Sequence, residues 1–505
     1  MLRLTKRFFT KHFPDSKEKW WLYFKYAFPT ILSGVCFSLN NFVDNFMVLG
    51  ISGGPQALGY ANFYTSIILA IFLGIGFIGA VMVGQYLGAK KVDKVREIIS
   101  LRIILSAIVV IVVFVLAWTI PNQMIQMVAG PRREASAGSY DEAVKLAKDY
   151  MQYISIAWIL LIFTFTSGNL LREIGLGKYS LYSTLVTLGT NVLFNSLFMY
   201  VLNLGVIGAA LASIIARVSA LIMNYIFIYI KQRELCVFPW QMGKISPIIL
   251  IQFLKRCPSI LLSASAVAFN TVRQIFYNSA QTVNAYDIMN VSVLAITATF
   301  TGVFTAAFSS FSANVTRFVG MHLGNNEIEV AITNGNHLKG FHFTMQALMS
   351  IVCSSLLFIL PHITIFSDAA AKNWQQSHPD ASLLELAQMK SAYVKYLNET
   401  LIIILVFSPF WAWFITSSRL ISSGGKNNVS SSVEFATGAL QILWLALLTY
   451  VFIGYFHWKL NVSQFYLIFF LSDIAKMAVF EIVYYSIKWA RNITKEHYES
   501  KLKKS

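Results

Sequence analysis

The stretch "VGQYLGAKK", residues 83–91, returns as "VGMHLGNNE" at residues 319–327. Each copy closes a long apolar run, and the glycines keep register, Gly84 and Gly88 answering Gly320 and Gly324. Two further pairs follow in the same order. Before the first copy stands "FPTILSGVCFSLNNFVD" (28–44), matched by "CPSILLSASAVAFNTVR" (257–273), with Pro29 answering Pro258. After it comes "LLREIGLGK" (170–178), matched by "SSRLISSGGK" (417–426), with Arg172 and Lys178 answering Arg419 and Lys426. A repeat preserved at three points means two structural units in one chain.

Composition says what medium those units occupy. Of 505 residues 56% are hydrophobic, 15% aromatic and only 12% charged, which excludes an ordinary soluble domain and a disordered chain. Apolar runs long enough to cross about 30 Å of hydrocarbon recur twelve times. They are expected at 27–50, 59–83, 97–120, 150–171, 180–203, 207–230, 250–278, 286–317, 338–360, 396–417, 431–456 and 463–488. The fold class is therefore an all-α polytopic membrane protein of two six-helix lobes, 27–230 and 250–488, joined by a linker at 231–249. Six spans per copy is an even number, so both copies start on one side and the repeat is parallel. Such lobes face a central cavity and can rock about it.

The opening residues 1–26 are basic and aromatic and do not read as a secretory signal peptide. Trp20, Trp21, Tyr23 and Tyr26 suit the headgroup layer. Cys36, Cys236, Cys257 and Cys353 lack any paired spacing and read as packing residues.

A formal charge of +17 raises the question of nucleic acid. The basic residues instead fall in alternate loops and at both ends: Lys90, Lys91, Lys94 and Arg96; Arg172 and Lys178; Lys231, Arg233 and Lys244; and Arg491, Lys495, Lys501, Lys503 and Lys504. The opposite turns "ISGGPQ", "NLGV" and "QTVNA" carry none. That asymmetry places both termini, including the tail 489–505, in the cytoplasm of a plasma-membrane protein, with anionic lipid as the partner of the charge and no nucleic acid. The longer polar loops, 121–149 and 361–395, fall outside and read as surface caps with short amphipathic helical pieces.

One acid interrupts the first apolar run. Asp44 lies fifteen residues past Pro29, where an ionised carboxylate costs at least about 2.5 kcal/mol unless paired or hydrated. Asn40 and Asn41, at i−4 and i−3, share its face. Asn191 and Asn195, one turn apart in the fifth run, and Ser213 early in the sixth are further polar candidates. One carboxylate, amides and a hydroxyl suit a hard cation such as Na⁺; a lone carboxylate in a dry setting also suits a proton. No other cofactor or metal is expected. Fifteen residues past Pro258 the second copy carries Arg273, so the repeat reverses the charge. Arg273 is a candidate for the shared cavity, as partner of Asp44 or of a substrate anion.

Pro29 and Asp44, "VGQYLGAKK", "LLREIGLGKY" and "GVIGAALAS" (205–213) together resemble the multidrug and toxin extrusion (MATE) family over roughly residues 20–490. The resemblance implies two lobes set as a V and export of amphipathic small molecules in exchange for Na⁺ or H⁺. In the archaeal and DinF-like branch, a first-helix Asp, an Asn and an Asp on the fifth helix and a hydroxyl on the sixth form a cation site; Asp44, Asn191, Asn195 and Ser213 fall on that pattern. Asn195 replaces the second acid, which removes a charge. The NorM-like carboxylate of the seventh helix has no counterpart in "SILLSASAVAFNTV" (259–272), so a second cation site in the C-lobe is not expected.

Other charges read as structural. Asp473 and Lys476, three apart in the twelfth run, can satisfy each other, while Arg217, Glu434 and Glu481 show no partner. His322, His337 and His342 lack zinc spacing. The glycines of "FLGIGFIGAVMVG" (72–84) suit close helix packing. The expected function is a monomeric secondary efflux transporter, not an enzyme, with a flippase for an anionic or lipid-linked amphiphile as the alternative. A lipid-modifying enzyme lacks a convergent set of acids, histidines or nucleophiles, and a passive channel fits a two-lobe repeat poorly.

Overall fold

Twelve helices run the length of the molecule in the computed structural model, which describes residues 8–48, 51, 53–130, 137–359 and 362–495. The tail residues Lys501, Lys503 and Lys504 and the side chain of Asn41 lie outside the described residues. The helices are α1 (Lys17–Met47), α2 (Gly54–Gly88), α3 (Val92–Thr119), α4 (Ala137–Glu173), α5 (Gly177–Asn195) and α6 (Gly205–Lys231) in the first lobe. The second lobe has α7 (Pro258–Ser279), α8 (290–324), α9 (Ile328–Ile359), α10 (Leu383–Ser423), α11 (Asn427–Ala446) and α12 (Val462–Ser486). Nine helices among the described residues are long and apolar enough to span a membrane, ten if the bent pair Pro247–Leu254 and Pro258–Ser279 is one span.

Helices dominate because hydrocarbon offers no partner for backbone N–H and C=O groups, so each span must satisfy its own. Several exceed the apolar runs that announced them. α1 begins at Lys17, capped by the Ser16 side chain, and passes through Pro29 without ending. This corrects the assignment of its aromatic start to the headgroup layer. Tyr23 is 1% exposed and donates to Asn334 Oδ1 at 3.1 Å, and Trp20 packs on Phe341; only Trp21 faces outward, 65% exposed. α10 likewise starts far into the expected outer loop, where Ser382 and Glu385 form a reciprocal capping box. α8 is interrupted at 305–307, between Phe304 and Phe308.

The repeat is written in the backbone. Left-handed residues fall at matching junctions: Lys90 (φ 58) after α2 and Asn326 (φ 68) after α8, then Gly175 and Gly425, both φ 82, after α4 and α10. Asn203 (φ 53) and His457 (φ 54) follow α5 and α11, each of which ends in a π-helical turn. Each lobe has its own hydrophobic core, one drawn mainly from residues 48–253 and the other mainly from 277–489.

The lobes meet where α2 crosses α8, at the end that carries both described termini. A Cβ on Gly84 would stand 2.8 Å from the Thr316 carbonyl oxygen, and one on Gly88 or Gly324 would overlap the carbonyl of Met321 or Gln85. Small residues allow that approach. Arg317 of α8 reaches across to donate to the Ile174 carbonyl and the Tyr26 hydroxyl at 3.1 and 3.0 Å.

Candidate functional site

Above this closed end lies a cavity of about 320 Å³, walled by α1, α2, α4, α5 and α6 and by the interrupted stretch of α8 at Thr305 and Ala306. Its lining is chemically mixed. Phe37, Phe77, Phe165, Leu69 and Leu73 form an apolar wall. Ser180, Ser183, Thr184, Thr187 and Asn191 of α5 add a polar stripe on one helical face, and Arg172 and Glu173 of α4 line the cavity as well.

The acid of α1 lies beside this cavity but not on its surface. Asp44 is 8% exposed, and Asn195 Nδ2 donates to its Oδ1 at 2.7 Å and to Asn191 Oδ1 at 2.5 Å. Asn191 in turn reaches Ser213 Oγ at 3.5 Å. Asn191 and Asn195 are fully buried. Thus four of the residues singled out by sequence, from three helices, form one cluster. The helical geometry explains it: Asn191 and Asn195 stack one turn apart on α5, opposite the polar face of α1. Asn40 lines the cavity, and its Oδ1 is buried without a hydrogen-bond partner, as is Asn195 Oδ1. Those two carbonyl oxygens, with the carboxylate and the Ser213 hydroxyl, are the donor set a hard cation would require.

Arg217 is the participant that sequence reasoning misplaced. It sits one turn after Ser213 on α6, lines the cavity, and lies within electrostatic range of Asp44 and of the buried Tyr150 of α4. Its Nε is buried with no hydrogen-bond partner. The i, i+4 spacing of Ser213 and Arg217 puts both on one face of α6, which the sequence did show.

Arg273 has a separate setting. It donates to Gln441 Oε1 of α11 at 3.2 Å and weakly to Asn270, its guanidinium lies over Phe469, and it is absent from the cavity lining. Gln441 then donates to Asp473 of α12 at 2.5 Å, and Trp411 donates to the other Asp473 oxygen at 2.7 Å. The two lobes therefore carry the same three-helix arrangement with the signs exchanged. Acid on α1, amide on α5 and base on α6 answer base on α7, amide on α11 and acid on α12. Asp473 and Lys476, expected to satisfy each other, do lie within electrostatic range, with Trp411 and Gln441 also donating to the carboxylate and Glu434 near Lys476 as well.

The other unpartnered charges also find company. Glu481 accepts from Lys339 Nζ at 2.9 and 3.0 Å, and Glu434 neighbours Arg419, which stacks over Phe77 at 3.4 Å. His342 is buried against Phe311 and bonded to Asn314 and Thr416, and His322 pairs with Glu327. No group of His, Cys, Asp and Glu among the described residues could hold a metal ion.

Comparison with known proteins agrees with this architecture. Residues 29–197, most of the first lobe, match the MatE family model. The multidrug export protein MepA of Staphylococcus aureus strain NCTC 8325 is 23% identical over 306 residues, 56% of this chain and 65% of MepA. That of strain MRSA252 is 24% identical over 201 residues, covering 39% of this chain and 42% of the relative. The alignments thus span less than two thirds of these relatives. Among solved structures, a mutant of the Vibrio cholerae MATE transporter VcmN superposes with TM-score 0.71 at 15% identity, covering 93% of this chain and 97% of that one. A MOP superfamily transporter from Pyrococcus furiosus gives 0.70 at 15% identity, covering 92% and 95%. The first lobe carries the MatE family match, and the chain as a whole has the fold of the MATE transporters.

Proposed function

We propose that this protein is a secondary efflux transporter that exports amphipathic small molecules in exchange for Na⁺ or H⁺ by alternating access. One observation supports it above the others: a cavity walled by the first lobe and by α8 of the second, beside the α2–α8 crossing, with the Asp44 carboxylate enclosed behind its wall and the Glu173 carboxylate, paired with Arg102, in the wall itself. With the basic loops and termini in the cytoplasm of a plasma-membrane protein, the closed end is the inner one, and the structure is then an outward-facing state. Rocking of one lobe against the other across the α2–α8 crossing exposes the cavity to the inside. Loading of Asp44 by the coupling ion in one state and unloading in the other ties the substrate to the gradient.

The cavity wall fits the substrate class, since phenylalanines together with a hydroxyl stripe accept a molecule with one apolar and one polar side. The cluster of Asp44, Asn191, Asn195 and Ser213 supports a reading nearer the archaeal and DinF-like branch. A cavity-facing Arg273 suited to an anionic head group was the reason to weigh a flippase, and its bonds to Gln441 and Asn270 hold it within its own lobe.

The test is efflux of an amphipathic dye from liposomes under separate Na⁺ and pH gradients, with Asp44→Asn beside the native protein. Gradient-driven export should fall at least about tenfold, the scale of one coupling free energy. Native rates from the variant in both gradients would sink the proposal.

A further inference from the structure

The cavity has two ends, and charge is arranged differently at each. The α5 stripe that lines it spans Ser180 to Asn191, about 16 Å at the helical rise of 1.5 Å per residue. At the Asn191 end, Arg217 has Asp44 within electrostatic range. At the Ser180 end stand Arg172 and Glu173, consecutive on α4 and so about 100° apart around the helix, where they do not face each other. Glu173 turns to Arg102 of α3, which donates to both of its oxygens at 2.9 and 3.1 Å. Arg172 turns to Asn169, one turn back, and among the described residues that neutral amide is its one hydrogen-bond partner. Glu173 attracts Arg172 while Arg102 repels it, so the pair leaves the Arg172 charge largely uncompensated. A further guanidinium closes in from the other lobe. Arg317 of α8 packs on Gly175, and its own bonds go to the Ile174 carbonyl and the Tyr26 hydroxyl, both neutral. Three arginines and one glutamate thus share the closed end of the cavity.

We infer that this closed end is a subsite for an anionic group, a carboxylate, sulfonate or phosphate carried on an apolar body, and that Arg172 is the residue that selects it. The inference rests on the exporter reading and supplies its substrate class. The basic residues of alternate loops served in the sequence as markers of orientation, and the fold turns this one into the cavity. A guanidinium that faces a site of low dielectric without a counter-charge is costly, and an anion that enters offsets that cost. Its planar fork presents parallel N–H donors that match the two oxygens of such a group. Arg102 cannot serve in its place, being 1% exposed and engaged at both Glu173 oxygens. Phe37, Phe77 and Phe165 line the same cavity and take the apolar body. Anion and coupling ion then sit toward opposite ends of the α5 stripe, with the body of the substrate between them.

The test uses two fluorescent probes with one body, dansylglycine, which carries a carboxylate, and dansylglycinamide, which does not. Purified protein in nanodiscs of phosphatidylcholine is titrated with each. The native protein should bind dansylglycine about tenfold or more tightly than the amide, the scale of one charge-assisted hydrogen bond, and this comparison needs no variant. Arg172→Gln should lose that preference while binding the amide as before, which also reports that the variant is folded. Arg172→Lys, which keeps the charge, should keep part of the preference. A purely structural arginine predicts instead that Arg172→Gln weakens both probes alike. Nanodiscs containing phosphatidylglycerol identify the source of the anion: unchanged dansylglycine affinity assigns the subsite to a free amphiphile, and competition assigns it to a lipid head group. Equal affinities of the native protein for the two probes, absence of binding by either, or a carboxylate preference that survives in Arg172→Gln, overturns the subsite. None of these results bears on the exporter reading, which stands or falls separately with gradient-driven efflux of the amphipathic dye from liposomes.

Discussion

Gly88 of α2 and Gly324 of α8 make the same contact twice, each pressing its Cα against a backbone carbonyl of the opposite helix, Met321 in one case and Gln85 in the other. The repeat places its own axis at this crossing, and neither position has room for a methyl group. Gly88→Val must part α2 from α8 at the closed end and shift the population toward a state open there. Thr316, 4% exposed and packed on Gly84, reports it. A cysteine at that position should react with a polar maleimide about tenfold faster in the Gly88→Val background, a modest population shift. Unchanged reactivity in a folded variant would mean that the crossing does not control closure.

A strap of C-terminal residues crosses the same seam. Trp489 lies in the core of the second lobe and Ile493 in that of the first. Gln85 accepts from the Ile493 N–H at 2.7 Å and donates to the Ser423 and Arg491 carbonyls, while Gln252 donates to the Ile493 carbonyl at 3.1 Å. Ile493→Ala should cost about 2–5 kcal/mol as a buried large-to-small change. Because Ile493 alone among the described residues of the strap joins the first lobe's apolar core, tryptic cleavage after Arg491 should accelerate in this variant under native conditions. Cleavage at the native rate would show that the polar contacts of Gln85 suffice.

How much of this was legible beforehand depended on whether the signal was local. Twelve helices, two lobes and the correspondence of α2 with α8 followed from apolar length and from glycine punctuation, which act within one segment; that the two helices also cross did not. The Asp44 cluster was readable because Asn191 and Asn195 are one turn apart and an intramembrane acid demands partners. Arg217 was visible as a charge, but its nearness to Asp44 depends on the tilt and rotation of α1 and α6, which no periodicity encodes. The same holds for Glu481, whose partner Lys339 lies 142 residues away. Helix starts were misjudged where apolar runs served as boundaries, since α1 begins at Lys17 and its Tyr23 is buried by the other lobe.

Both third helices carry a buried cation, and the two pairs should differ in weight. Arg102 donates to both Glu173 oxygens at 2.9 and 3.1 Å, and the side chains are 1% and 5% exposed. Gly79 is what admits the arginine, since a Cβ there would run into it. Lys339 is equally buried, but the Glu481 side chain is 22% exposed. Removing one member of a fully buried pair strands the other, at about 3–5 kcal/mol. Glu173→Gln should therefore lower the melting temperature more than Glu481→Gln in the same detergent, and replacing Arg102 and Glu173 together by apolar residues should cost less than Glu173→Gln alone. Equal losses for the two single variants would show that exposure does not set the difference.

The N-terminal segment supplies a prediction in pH. His12 is buried between Phe8, Trp413 and Tyr485, whose hydroxyl lies 3.1 Å from its Nε2. Burial, and then the charges of Lys339 and Lys11, push its pKa from 6.5 down to about 4, with Glu481 opposing and His337 adding slightly. A depressed value means that the docked state holds the neutral ring, so the docked segment binds fewer protons than the free one. Its stabilisation is complete above pH 6.5 and is lost as pH falls from there toward 4. Fluorescence of Trp413, stacked on Phe8 at 5.9 Å, should change over that interval as residues 8–13 loosen. His12→Phe keeps the aromatic packing and removes the titration, so its emission should stay flat between pH 6.5 and 4; an equal change in the variant would assign the transition to another group.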